Sequence, residues 1–212
     1  MARIRACDDG RVTRVYLECG TKWTFACALD WPGWCRRDRS DEAAIETLLA
    51  YAPRYAAVVG EDLDTRDVTV VGRLRGNATT DFGAPAVPSE WDLASLSTAE
   101  LDRQVGVLQS AWRYFDAVVK AAPQELRKGP RGGGRDRDAV KRHVIEAERA
   151  YAPKAGTRVP PRTPWVEQRA RIADGLRSEP SDTSWPLPYV LRRMTWHVLD
   201  HAWEIEDRRP SA

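Results

Sequence analysis

Over the second half of this chain, apolar residues recur every three or four positions; over the first half they come in short alternating runs. Leu101, Val105, Leu108, Trp112, Phe115 and Val119 predict one long helix over 98–121, opened by Ser97 or Thr98 and closed before Pro123. Val140, Val144, Ala147 and Tyr151 predict a second helix. Val166, Ala170, Ala173 and Leu176 predict a third over 164–177, and Leu191, Met194, Val198 and Ile205 a fourth from Pro188 onward. Helices that each bury one stripe pack as a bundle, and bundle cores are where facing helices present inward ligands.

The first half reads differently. Residues 12–18 and 23–28 are short runs rich in β-branched or aromatic side chains around Gly20, which is a hairpin pattern. The stretch Asp30-Trp31-Pro32-Gly33-Trp34 forces a turn through its Pro-Gly pair. Ser40 or Asp41 caps the next helix, Asp41 and Glu42 suit its positive end, and Ala44, Leu48, Tyr51 and Tyr55 form its apolar side. Residues 67–73 supply a third strand. Gly76, Gly83, Pro85 and Pro88 mark a linker or extended arm. The expected class is therefore α+β: a small β-β-α-β module over 1–74, a linker over 75–97, and a four-helix bundle over 98–212.

Composition narrows the function classes. The chain has 212 residues, 42% hydrophobic and 30% charged, which is the balance of a globular protein. No apolar run approaches the roughly 18 residues of a membrane span, and the start, MARIRACDDGR, has no apolar signal core, so a cytoplasmic protein is expected. The formal charge of +2 comes from interspersed acids and bases, so no nucleic-acid partner is expected. Cys7, Cys19, Cys27 and Cys35 contain no C-x-x-C pair and read as reduced structural thiols. The loop RKGPRGGGRDRD lacks the G-K-[ST] of a phosphate-binding loop; Arg135 or Arg137 at its end could reach an anionic substrate.

The three histidines carry the candidate chemistry. His197 and His201 stand four apart in WHVLDHAWEIED, which stacks two imidazoles on one helix face about 6 Å apart along the axis. His143 falls on the apolar stripe of another helix, in DAVKRHVIEAERAY. Each alone reads as a core histidine bonded to a carbonyl. Together they account for every histidine in the chain and all lie on inward stripes, which favours a shared divalent ion with positions left open for water or substrate. Glu146 and Glu204 stand one turn beyond His143 and His201, placed to orient a ligand, to accept a proton, or simply to face solvent. Trp112, Trp165, Trp196 and Trp203 read as core or rim aromatics.

The order helix, His helix, helix, H-x-x-x-H helix over residues 98–208, with HVIEAERAY and MTWHVLDHAWEI, resembles the DinB-like superfamily of metal-binding four-helix bundles. That resemblance implies a zinc or nickel ion on His143, His197 and His201. It implies a thiol S-transferase, thiol-dependent isomerase or hydrolase acting on a small molecule, with a low-molecular-weight thiol such as mycothiol, bacillithiol or glutathione. It also implies a homodimer. Many relatives follow the last ligand with Arg-Gly-Gln, where this chain has Ala202-Trp203-Glu204. The hairpin followed by DWPGW is similar to the HicB-like module, whose pattern is D-L-P-G-C. That likeness implies an alternative function, a non-catalytic module that binds a protein partner.

Overall fold

In a computed structural model describing residues 12–128, 134–178 and 183–210, the chain is α+β: a four-stranded sheet with helices packed against it. The hairpin forms as β1 (Thr13–Cys19) and β2 (Thr24–Ala28), antiparallel, with Val15 opposite Ala28 and Cys19 opposite Thr24. The Pro-Gly turn then feeds a strand that periodicity did not predict, β3 (Cys35–Asp38), antiparallel to β2. Its sequence CRRD is short and polar, and alternation over so few residues carries no signal. The strand expected over 67–73 is β4 (Val68–Arg75). It runs parallel to β1 at the opposite edge, giving the order β3-β2-β1-β4.

A parallel pair needs a crossover, and the helical stretch after Ser40 provides it. Ser40 caps it as expected, its hydroxyl accepting from the Ala43 amide at 3.2 Å. The single helix expected from Ala44 to Tyr55 is instead two, α1 (Asp41–Ala50) and α2 (Ala52–Val59). Pro53 is the reason: with no amide hydrogen it is tolerated in a first turn, so the chain restarts there instead of continuing. The 75–97 stretch is also more structured than a linker. It holds α3 (Ala78–Phe82), capped by Asn77, and a 3-10 turn (Glu90–Leu93). Fully buried Glu18 on β1 pins it, accepting from Thr80 Oγ1 at 2.6 Å and from the amides of Ala86 and Val87.

The four predicted helices form as α4 (Thr98–Ala121), α5 (Arg137–Tyr151), α6 (Trp165–Arg177) and α7 (Leu187–Asp207). α4 and α5 each pack on α7, and α6 packs on α4. Every residue of the predicted α4 stripe is buried. On α6 Ala173 and Leu176 are buried as expected, but the start of the face is rotated: Val166 and Ala170 are exposed, while Gln168, Arg169 and Ile172 point inward. A buried ion pair causes the rotation. Arg169 holds Glu148 of α5 with Nη2 at 2.8 Å and Nε at 3.0 Å, and reaches Asp116 of α4 with Nη1 at 2.9 Å.

One hydrophobic core joins the two halves. Val15, Leu17 and Trp34 of the sheet region and Tyr55 of α2 belong to the same buried cluster as Leu108, Phe115, Val198 and Trp203. The other sheet face is covered by Trp196 of α7, which packs edge-on to Phe25 with centroids 6.1 Å apart. The sheet thus lies directly on the helix that carries two of the histidines. No helix among the described residues is long and apolar enough to cross a membrane.

Candidate metal centre

α7 begins Pro186-Leu187-Pro188, and both prolines stand where an amide hydrogen would have no helical partner. From there a row at four-residue spacing, Tyr189, Arg193, His197 and His201, runs down one side of the helix. α5 faces it, with His143 set between the buried Val140 and Val144. His143 lies against both other histidines, with ring centroids 5.1 Å from His197 and 4.9 Å from His201, while those two are 4.7 Å apart.

One nitrogen from each ring converges, all three within 4.8 Å of one another. His143 Nε2 and His197 Nε2 are 3.2 Å apart. At that separation either one ring donates to the other or both lone pairs face a common cation. Imidazole nitrogens bind zinc at about 2.0–2.1 Å, which places two cis ligands roughly 2.9–3.4 Å apart, so the observed spacing fits an ion.

The third ring is oriented from outside. His201 Nδ1 lies 2.8 Å from Glu204 Oε2. A carboxylate only accepts, so Nδ1 carries the hydrogen and Nε2 is the nitrogen that Glu204 leaves unengaged. Burial drives the Glu204 carboxyl upward, but its bonds to His201 and Arg208 prevail and hold it below the usual glutamate range. Arg208 donates to Glu204 Oε1 at 2.6 Å and to the Arg127 carbonyl at 2.8 Å, anchoring this chain of contacts to the segment after α4.

The electrostatics favour neutral ligands. Burial, followed by the neighbouring His201 and Arg135, lowers the His143 imidazole below the ordinary histidine value. Burial lowers His197 much further, helped by His201 and by Arg193. Both rings are thus free bases near neutral pH, the form that binds a metal. His197 Nδ1 is buried and has no hydrogen-bond partner among the described residues.

The structure sorts the remaining candidates. Glu204 touches a histidine; Glu146 is exposed and reaches His143 only through its charge. Arg135 is exposed, and its charge acts on both His143 and His197. Arg137 is occupied, donating to Asp138 and to the Ala122 carbonyl. Trp112, Trp196 and Trp203 are buried, and Trp165 lies half-buried between Lys141 and Arg169. Cys27 and Cys35 are buried opposite each other across β2 and β3, and Cys19 is half-buried beside Asp41. Cys7 and the loop glycines Gly129, Gly132 and Gly133 lie outside the described residues. Periodicity placed Tyr151 on the inward stripe with His143 but missed the aromatic wall it builds with Trp185 and Tyr189. Tyr151 of α5 packs edge-on to His197 at 5.8 Å, Trp185 lies on Tyr151, and Tyr189 lies on Trp185.

No protein-family model matches this chain, and no curated protein or solved structure does either.

Proposed function

We propose that this chain is a divalent-metal-dependent enzyme of the DinB-like type, a thiol S-transferase or hydrolase that activates a thiol or water nucleophile at His143, His197 and His201. The observation that carries it is the convergence of one nitrogen from each of three rings on two helices, with His201 oriented by Glu204. Zinc or nickel is the expected ion, since both accept imidazole. When bound, such an ion lowers the pKa of a thiol or water on its open positions and polarises an electrophile.

The chain's own groups have separate tasks. Glu204 keeps the proton on His201 Nδ1 so that Nε2 stays available, and Arg208 keeps Glu204 in place. We assign to Glu146, exposed one turn beyond His143, the uptake of a released proton. Tyr151, Trp185 and Tyr189 keep bulk water off one side. The sheet shares its core with the bundle, which supports a role as a wall of the catalytic unit over a detachable partner-binding module.

Elemental analysis of protein purified without added metal should find about one zinc or nickel per chain. His201→Ala should lower that content together with thiol consumption or ester hydrolysis in a screen that includes mycothiol and glutathione. A folded protein that contains no metal and takes none up from zinc or nickel solutions would end this reading.

A further inference from the structure

The row that holds His197 and His201 also holds Arg193, one turn nearer the start of α7, which no described residue pairs with; buried Glu18 lines the same small cavity but is bonded to Thr80, Ala86 and Val87. Arg193 has no hydrogen bond or ion pair among the described residues, and its Nη1 is buried without an acceptor. Its neighbours are aromatic: the guanidinium carbon lies 5.7 Å from the Tyr151 ring and 4.8 Å from the Trp196 ring. By contrast the adjacent Arg192 is fully engaged, held by Asp92 and Tyr16. Arg193 is only partly exposed, with Nη1 out of water and unsatisfied; a donor left in that state is destabilising, and an anionic ligand would satisfy it.

Its position says which ligand. His197 touches the same two rings, with centroids 5.8 Å from Tyr151 and 6.2 Å from Trp196. Four residues of helix rise about 6 Å, so the Arg193 backbone stands roughly that far along the axis from that of His197. On the facing helix, Tyr151 lies two turns beyond His143, so Arg193 and Tyr151 form the next rung beyond the histidines. The charge of Arg193 acts on His197, and that of exposed Arg135 acts on both His143 and His197. Glu146 and Glu204 act in the opposite sense on His143, and Glu204 is itself paired with Arg208.

We infer that Arg193, stacked against Tyr151 and Trp196, binds an oxyanion group of the substrate, a carboxylate or phosphate, and so directs the substrate's reactive end about one helical turn away toward the three histidines. A planar guanidinium matches such a group through two parallel hydrogen bonds. The inference rests on the proposed metal site for its catalytic meaning, but anion capture by Arg193 can be measured without metal.

The test uses the full-length protein, with succinate and inorganic phosphate as probes for the two oxyanion types. Binding is followed by calorimetry on zinc-loaded and on chelator-treated protein, with zinc content measured in parallel. Wild type should bind at least one probe, Arg193→Met should bind it at least tenfold more weakly, and Arg193→Lys should fall between. Zinc content should stay unchanged in all three. Equal affinity in wild type and Arg193→Met, no binding of either probe by wild type, or zinc lost along with the anion in both variants would each overturn the assignment. If no form takes up zinc, the metal reading fails, and the chelator-treated series alone decides whether Arg193 captures the anion. Melting curves establish folding, and Arg193→Lys keeps the comparison decisive if Arg193→Met does not fold.

Discussion

Gly33, in the turn between β2 and β3, packs directly on Thr195 of α7, two residues before His197. A methyl group added there would meet Thr195 Cγ2 at 2.5 Å and Cβ at 2.8 Å, and the backbone φ of +87° already disfavours any other residue. Gly33→Ala should therefore cost ~2–4 kcal/mol from left-handed strain and overpacking together. It should also weaken zinc uptake by pushing α7 out of place. Urea unfolding and zinc titration check both; a variant as stable as wild type would show that the turn does not press on the helix.

Glu204 holds the ring of His201 through Nδ1 and stands outside the three-histidine group. Removing such a partner typically lowers metal affinity 10–100-fold, so Glu204→Ala should fall in that range while the fold persists. Competition with a chelator of known affinity measures it. Unchanged affinity would mean that His201 needs no carboxylate to hold its ring.

Arg169 and Glu148 form an ion pair with both side chains almost out of water. Arg169→Met leaves a buried carboxylate unpaired and should cost about 3–5 kcal/mol at neutral pH. Burial already holds the Glu148 carboxyl above its ordinary value in spite of Arg169. A raised carboxyl binds its proton more tightly in the folded chain, so its contribution to stability is present at low pH and lost as pH rises through the folded value. Without Arg169 that value climbs further. The gap between variant and wild type should thus narrow on acidification toward pH ~5; denaturation curves at several pH values would reveal a gap that stays constant.

For the metal-free protein the histidines set the opposite trend. His143 and His197 are both held below the ordinary histidine value, chiefly by burial. In the window between the folded values and about 6.5, the unfolded chain binds more protons than the native one, so stability is full above that window and falls as pH drops through it. Unfolding free energy in the presence of chelator should decline between pH ~7 and ~5. A flat profile would mean that the two rings are not held neutral by the fold.

Much of the helical half was legible because helix formation leaves a local record. The α4 stripe from Leu101 to Val119 is buried throughout, and the interval from His197 to His201 does put both rings on one face. The turn at Pro32-Gly33 and the cap at Ser40 were legible for the same reason, since each depends on a few adjacent residues. β3 was not: a cysteine and three charged residues become a strand only because β2 lies alongside to pair with them. The α6 face was misjudged because Gln168 and Arg169 look like surface residues until Glu148 and the Ile145 carbonyl are brought to meet them.

Periodicity, caps and the spacing of three histidines were thus determined by the chain alone, since each is a relation between residues a few positions apart. Tertiary structure alone decided that His143 closes on His197 across 54 positions, that Glu204 turns toward His201 while Glu146 faces solvent, and that Arg193 Nη1 is buried with no partner among the described residues. A charge or a lone pair acquires meaning from what stands within a few ångströms of it, and in this protein those neighbours come from different helices and from the sheet.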